Sequence, residues 1–398
     1  MQRQTSRKDQ LGVSIVELMV AVVISLIGVL VIFQVFAVNE GVRRSTTGGS
    51  DEQTSGLLGL MLLERELRHG GFGINDPSLV GCNMRVYDNM RAPAMQPDFP
   101  LVPVEIRSNE LIDPKVPDVI IVTYGGVTQT TAAVPLIVPM DDPTEPIQLT
   151  FRFGFNNGDV MVVGQESLNC TLREVTGPYP LLLGMVELEH GVGAFTNAYT
   201  KNSQTPRFNN PAGVPDLYAK DVGKVMNLGP FPVRNEITAI NNDPDPSRNN
   251  QLVGQNVWAQ MAGFQPLADQ IVHLKAEYGM DDGIANGTVL RPVYNAGDNV
   301  VDKFTPVSPA TPADWRNVLS VRLAIVSRTN IIEKPIVGPG CDATADWGTP
   351  EYPVRWARGP DAPQGRPIDV RLTPNWRCFK YRVYETTVPL RNMLWRQG

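Results

Sequence analysis

Few residues in this 398-residue sequence could do chemistry, and Glu17 is singled out by its surroundings. It is the sole ionisable side chain between Ile15 and Asn39 and heads the run LMVAVVISLIGVLVIF. An ionised carboxylate costs about 2.5–3.5 kcal/mol at a bilayer centre and less near the interface. Its plain role is to mark a membrane boundary. Its chemical role would be to pair with a cation where water is scarce and charge compensation matters most. The other chemistry-bearing residues are sparse. Cys82, Cys170, Cys341 and Cys378 are widely spaced with no C-x-x-C. An even count in an exported chain suggests disulfides, with three connectivities open, or reduced thiols. Three histidines, His69, His190 and His273, leave few ligands for a soft metal, and no metal site is expected. Asn241–Asn249 alternates oxygen side chains as a calcium loop would. Counting from Asp243, however, Arg248 replaces the required Gly and Gly254 the required Glu, so a solvated turn is expected. Asp281-Asp282-Gly283 reads as another turn. The sequence holds no H-E-x-x-H, G-x-S-x-G, Walker A or G-x-G-x-x-G, so neither catalysis nor a cofactor is expected.

The elements that position these residues are legible in outline. With 42% hydrophobic and 19% charged residues the chain is globular, and 35 Gly with 34 Pro imply many turns. A net charge of −6 argues against a generic nucleic-acid binder. Arg3, Arg7 and Lys8 precede Ile15–Val38, which as a helix is about 36 Å long and crosses a hydrocarbon core of about 30 Å. The basic flank places residues 1–12 in the cytoplasm and the bulk of the chain outside it. Ala37-Val38-Asn39 fits a signal-peptidase site poorly. Thr46-Thr47-Gly48-Gly49 predicts a soft point or a break in the helix. Periodicity resumes at Leu57, Leu60, Leu63 and Leu67, with Met61 widening the stripe, and this face is expected to pack on the domain that follows. Glu64 and Arg68 form an i,i+4 pair, and Gly70-Gly71 can cap the helix. Strands are expected at 118–124, 147–153, 159–163, 271–278, 318–326 and 381–388, with His273, Lys275 and Glu277 on an outward face. Residues 197–255, rich in Asn, Pro, Asp and Gly, read as a loop-rich insertion. Trp356, Trp376, Arg377, Tyr381, Tyr384 and Trp395 read as core and rim packing.

Gly12-Val13-Ser14-Ile15-Val16-Glu17-Leu18-Met19-Val20-Ala21 resembles the cleavage and methylation motif of type IV prepilins. Glu66–Phe72, His273–Gly279, Asp314–Val318 and Val388–Asn392 resemble PilW-type minor pilins in kind and order. The resemblance implies an α+β, pilin-like fold in which a long amino-terminal helix packs on a carboxy-terminal antiparallel sheet. It divides the chain into a leader at 1–12, a transmembrane and stalk helix at 13–70 and a periplasmic β-rich domain at 71–398. It implies cleavage by prepilin peptidase between Gly12 and Val13, methylation of the Val13 amine, and pairing of Glu17 with a neighbouring subunit's amine. Val13 stands where phenylalanine is usual. The implied partners are other minor pilins, the major pilin, the inner-membrane assembly platform and a tip adhesin. The implied location is the bacterial inner membrane, then the pilus. The resemblance also implies a carboxy-terminal staple, Cys341 with Cys378, which leaves Cys82 with Cys170. A minor pseudopilin of a type II secretion system shares the amino-terminal logic. A membrane-tethered adhesin or enzyme that never enters a filament is the remaining alternative.

Overall fold

The structure, a computed structural model, describes residues 14–74, 76–110, 112–126, 132–178, 186–213, 216–241, 243–259, 263–283, 297–333, 341, 343–359 and 362–394. The leader, Gly12 and Val13, and also Trp395, lie outside the described residues. The chain divides into two units, one ending at Asp51 and the other beginning at Glu52. Helix α1 spans Ile15–His69, and helical geometry continues through Thr46-Thr47-Gly48-Gly49, so of the two expectations, a soft point or a break, the break does not occur. Two glycines cost about 2 kcal/mol relative to alanine, but ending a helix and starting another adds the unfavourable step of forming a new first turn. The Thr46 hydroxyl also donates to the Val42 carbonyl, 2.9 Å, within the same stretch.

The second unit is largely β. A five-stranded antiparallel sheet runs in the order Gln265–Asp269, Gln251–Asn256, Val233–Ile240, Val119–Tyr124 and Val104–Arg107. A four-stranded antiparallel sheet runs Lys303–Thr305, Ile271–Met280, Val318–Arg328 and Tyr381–Pro389. The six-stranded sheet is mixed, because Asn83–Arg85 pairs in parallel with Cys170–Glu174 while its other pairings are antiparallel. The architecture is therefore α+β, with several sheets where one was expected. The predicted strand at 147–153 shrinks to Ile147–Gln148, whereas those at 118–124, 159–163, 271–278, 318–326 and 381–388 form within a few residues of their expected ends.

Two expectations are corrected. Residues 197–255 are not a loop-rich insertion, since Lys224–Gly229 is an inner strand of the six-stranded sheet and Val233–Ile240 is the middle strand of the five-stranded one. Their polar residues bond inward: Asn227 donates to the Gly154 carbonyl, 2.8 Å, and to Asp159, 3.0 Å, and Arg234 pairs with Glu105 at 2.6 Å. Nor do His273, Lys275 and Glu277 face water, because all ten residues of Ile271–Met280 are buried. A second apolar layer, including Tyr352, Val354, Trp356, Ile368 and Val370, covers that face. The polar groups are satisfied beneath it. Glu277 accepts from the Arg322 Nε at 3.1 Å and pairs with Arg366, and Lys275 Nζ lies 3.5 Å from Asp118. Burial pushes the Asp118 carboxyl above its ordinary range against the pull of Lys275 and the Asn109 and Ala276 amides. The main core joins α1 to the five- and four-stranded sheets through Leu63, Leu67, Ile120, Ile237, Leu323 and Ile325, among others.

Candidate functional site

Within the first unit, the apolar residues from Ile15 to Val38 are exposed all around the helix, Leu18 at 59% and Phe33 at 67% for example. A helix apolar on every side belongs in lipid or among other helices. It is the one candidate membrane span among the described residues. Ala21 and Ser25, four residues apart, form a shallow notch walled by Leu18, Val22, Leu26 and Val29. Small residues at this spacing allow another helix to approach closely. Glu17 lies in the first turn, where its negative charge suits the helix dipole. It is exposed, and it has no hydrogen-bond or ion-pair partner among the described residues. The arrangement can bind a cation or an N–H donor brought by another chain, at the end of an apolar contact surface.

The part of α1 in the second unit seats on the sheets by the predicted Leu63 and Leu67, with Leu60 partly buried against the same core, and also by residues that its leucine pattern does not mark. The buried face is Glu52, Gly56, Gly59, Leu63 and Leu67, while Leu57 and Met61 are half or more exposed. Gly56 and Gly59 allow close approach. A Cβ on Gly56 would clash with the Cε2 edge of the Tyr384 ring, and one on Gly59 would sit 3.1 Å from Ile325 Cδ1. Leu63 and Leu67 are fully buried, each stabilising the seat by about 1.5–3 kcal/mol. Polar contacts fix the register. Glu52, 4% exposed, accepts from the Ser327 hydroxyl and, at 3.3 Å, from the Tyr384 hydroxyl, with Arg382 Nε 3.8 Å away. One turn from the end, Glu66 accepts from the Tyr124 hydroxyl, 3.1 Å, and from the Asn235 amide, 2.8 Å. The predicted Glu64–Arg68 pair forms. Gly71 takes φ +81° at the helix end, and the Asn392 amide donates to the Gly70 carbonyl, 2.9 Å. Sequence reasoning missed Gly56 and Gly59 altogether. Their spacing of three, in phase with Leu63 and Leu67, was the available signal.

Of the remaining candidates, the four cysteines form Cys82–Cys170 and Cys341–Cys378, the two pairs that the resemblance implied. The first ties the parallel strand pair, since Met84 stands opposite Cys170 in the register. The second joins a segment before the covering layer to Cys378, three residues ahead of the edge strand Tyr381–Pro389. Of the calcium-like stretch 241–249, residues 243–249 form a turn closed by the Asn249 amide on the Asp243 carbonyl, 2.9 Å, with Arg248 3.4 Å from Asp243, and residue 242 lies outside the described residues. In the turn after Met280, Asp281 accepts from the amides of Gly297 and Asn299, both at 2.7 Å. Trp356 is a core residue, 2% exposed.

Residues 245–392 match a family model described as Type IV Pilus-assembly protein W. The matched segment holds the whole four-stranded sheet and its covering layer, but not α1. No curated protein and no solved structure matches the chain. The family match supports a protein of the type IV pilus, involved in its assembly through other components of that machinery.

Proposed function

We propose that this protein is a minor pilin of a bacterial type IV pilus, inserted in the inner membrane, cleaved after Gly12 and methylated on Val13. The observation that carries this reading is a single carboxylate, Glu17, at the head of the apolar run that opens the helix and five residues after Gly12. The pilus-assembly match over residues 245–392 supports it. In this reading the leader stays in the cytoplasm, and the residues from Glu52 onward form a periplasmic head. Glu17 neutralises the amine of an adjoining subunit as apolar helices bundle. Two opposite charges meeting in low dielectric favour the correct axial register, because any other register leaves both uncompensated. The head primes or caps the filament by contacting other minor pilins, the major pilin and a tip adhesin. Its work is assembly rather than catalysis.

The test is a Glu17→Ala strain. Membrane insertion and amount of protein are expected to be unchanged, with surface pili reduced at least about tenfold, since an uncompensated partner charge costs more than 1.4 kcal/mol. Normal piliation in that strain would overturn the role of Glu17. Lost secretion with intact pili in a deletion strain would instead assign the chain to a type II secretion system.

A further inference from the structure

Asp118, just before the strand Val119–Tyr124 of the five-stranded sheet, meets Lys275 of Ile271–Met280 in the four-stranded one. Their side chains are 0% and 3% exposed, and Lys275 Nζ lies 3.5 Å from Asp118 Oδ1. The backbone fixes the approach. The Asp118 amide donates to the Leu274 carbonyl, 2.9 Å, and the Ala276 amide donates to Asp118 Oδ2, 3.0 Å. Lys275 therefore stands between two residues clamped to Asp118, and the carboxyl carbon is one bond beyond Oδ1.

As an ion pair the contact is weak. Charge-assisted hydrogen bonds settle at about 2.7–2.9 Å, and a longer one offsets less of the hydration that both ions lose. Burial favours the uncharged forms, an amine and a carboxylic acid, and it raises the Asp118 carboxyl above its ordinary range. Those forms are a nucleophile and an electrophile held in place. The surrounding donors suit an addition. Oδ2 takes the Ala276 amide, while Oδ1 takes the Asn109 amide, 2.8 Å, and the Ser108 hydroxyl, 3.2 Å. Both oxygens are thus held where negative charge develops as an amine adds to the carboxyl carbon.

We propose that Lys275 and Asp118 condense into an isopeptide bond, a covalent tie between the two sheets that seat α1. The Nζ lone pair attacks the Asp118 carboxyl carbon and forms the C–N bond. The C–Oδ1 bond then breaks, and Oδ1 leaves as water with two protons of the original ammonium. Oδ2 remains as the amide carbonyl, still facing the Ala276 N–H. The reaction consumes no oxidant, reductant or activating group. It removes both buried charges and joins residues 157 apart in sequence, so that the sheets resist mechanical separation.

The experiment is a tryptic digest of the full-length protein purified from its native membranes, read by tandem mass spectrometry. One branched peptide is expected, joining the Asp118 and Lys275 segments and uncut after Lys275. Its mass should be lower than the sum of the two segments by one water, about 18 Da. Lys275→Arg, which keeps the charge but is no nucleophile, should give the Asp118 segment alone. Separate segments with cleavage after Lys275 throughout would mean an ordinary buried ion pair and would overturn the proposal. Loss of water without a branched peptide, as from ring closure at Asp282-Gly283, would also overturn it. The wild-type digest decides even if Lys275→Arg fails to fold.

Discussion

Two carboxylates on α1 meet opposite fates. Glu52 is buried and takes the hydroxyls of Ser327 and Tyr384, with Arg382 nearby. Glu17 has no partner among the described residues and stands in an exposed apolar sequence. The leucines follow the same division. Leu63 and Leu67 are fully buried by their own chain, whereas Leu18, Leu26 and Leu30 are each more than half exposed. One helix thus carries a surface completed within the chain and a surface that only lipid or another chain can complete. The difference teaches where stability ends and assembly begins. Substitutions from Glu52 onward should act on folding, and those around Glu17 on assembly.

The largest effect on folding is expected from the disulfides. Cys82–Cys170 closes a separation of 88 residues and Cys341–Cys378 one of 37. Serine replacements should each lower unfolding free energy by about 4 kcal/mol, with the longer loop ahead by about 0.8 kcal/mol. Denaturant melts of the two double mutants check this, and equal small losses would contradict it. Acid is next. Burial and Arg173 depress His190 from 6.5 to about 4, so the folded state holds it neutral. Its stabilising contribution is complete above pH 6.5 and is lost as pH falls toward 4, at about 1.4 kcal/mol per unit. Between pH 6.5 and 4.5, wild type should lose about 2 kcal/mol that a His190→Gln variant does not. Parallel stability curves for the two proteins would refute the assignment.

Glu52→Ala should cost about 2 kcal/mol by leaving buried donors unpaired, while leaving membrane insertion intact. The smallest pair of effects is also the sharpest. Gly56→Ala should destabilise by about 1 kcal/mol net, as crowding against Tyr384 exceeds the gain in helix propensity. Gly49→Ala, whose Cβ would meet nothing within 4 Å, should stabilise by about 1 kcal/mol. Equal signs in thermal melts would erase the distinction between the two parts of the helix.

Much of this was legible wherever one residue type repeats along a local period. The apolar run, the strands at 118–124, 318–326 and 381–388, the Glu64–Arg68 pair and the Gly70-Gly71 cap all depend on near neighbours in sequence. What escaped depends on distant partners. The Val233–Ile240 strand reads as polar because Arg234, Asn235 and Glu236 interrupt it. Those side chains meet Glu105, Glu66 and Gln255, in turn, which no local pattern announces. Ile271–Met280 alternates as if half exposed, yet a covering layer about 80 residues later buries the second face as well. Glycines 56 and 59 weaken a helix taken alone and become useful only where a sheet lies against it. Glu17 is the reverse case, since sequence position alone marks it and nothing within the described chain completes it.

The most direct measurement is the intact mass and amino-terminal sequence of the protein purified from its native membranes. A chain that begins at Val13 and carries one added methyl group is the predicted result, because it makes Glu17 the fifth residue of the processed chain and puts it in the assembly pathway. A chain still beginning at Met1 would contradict the account and leave Glu17 as a boundary residue of a simple membrane anchor.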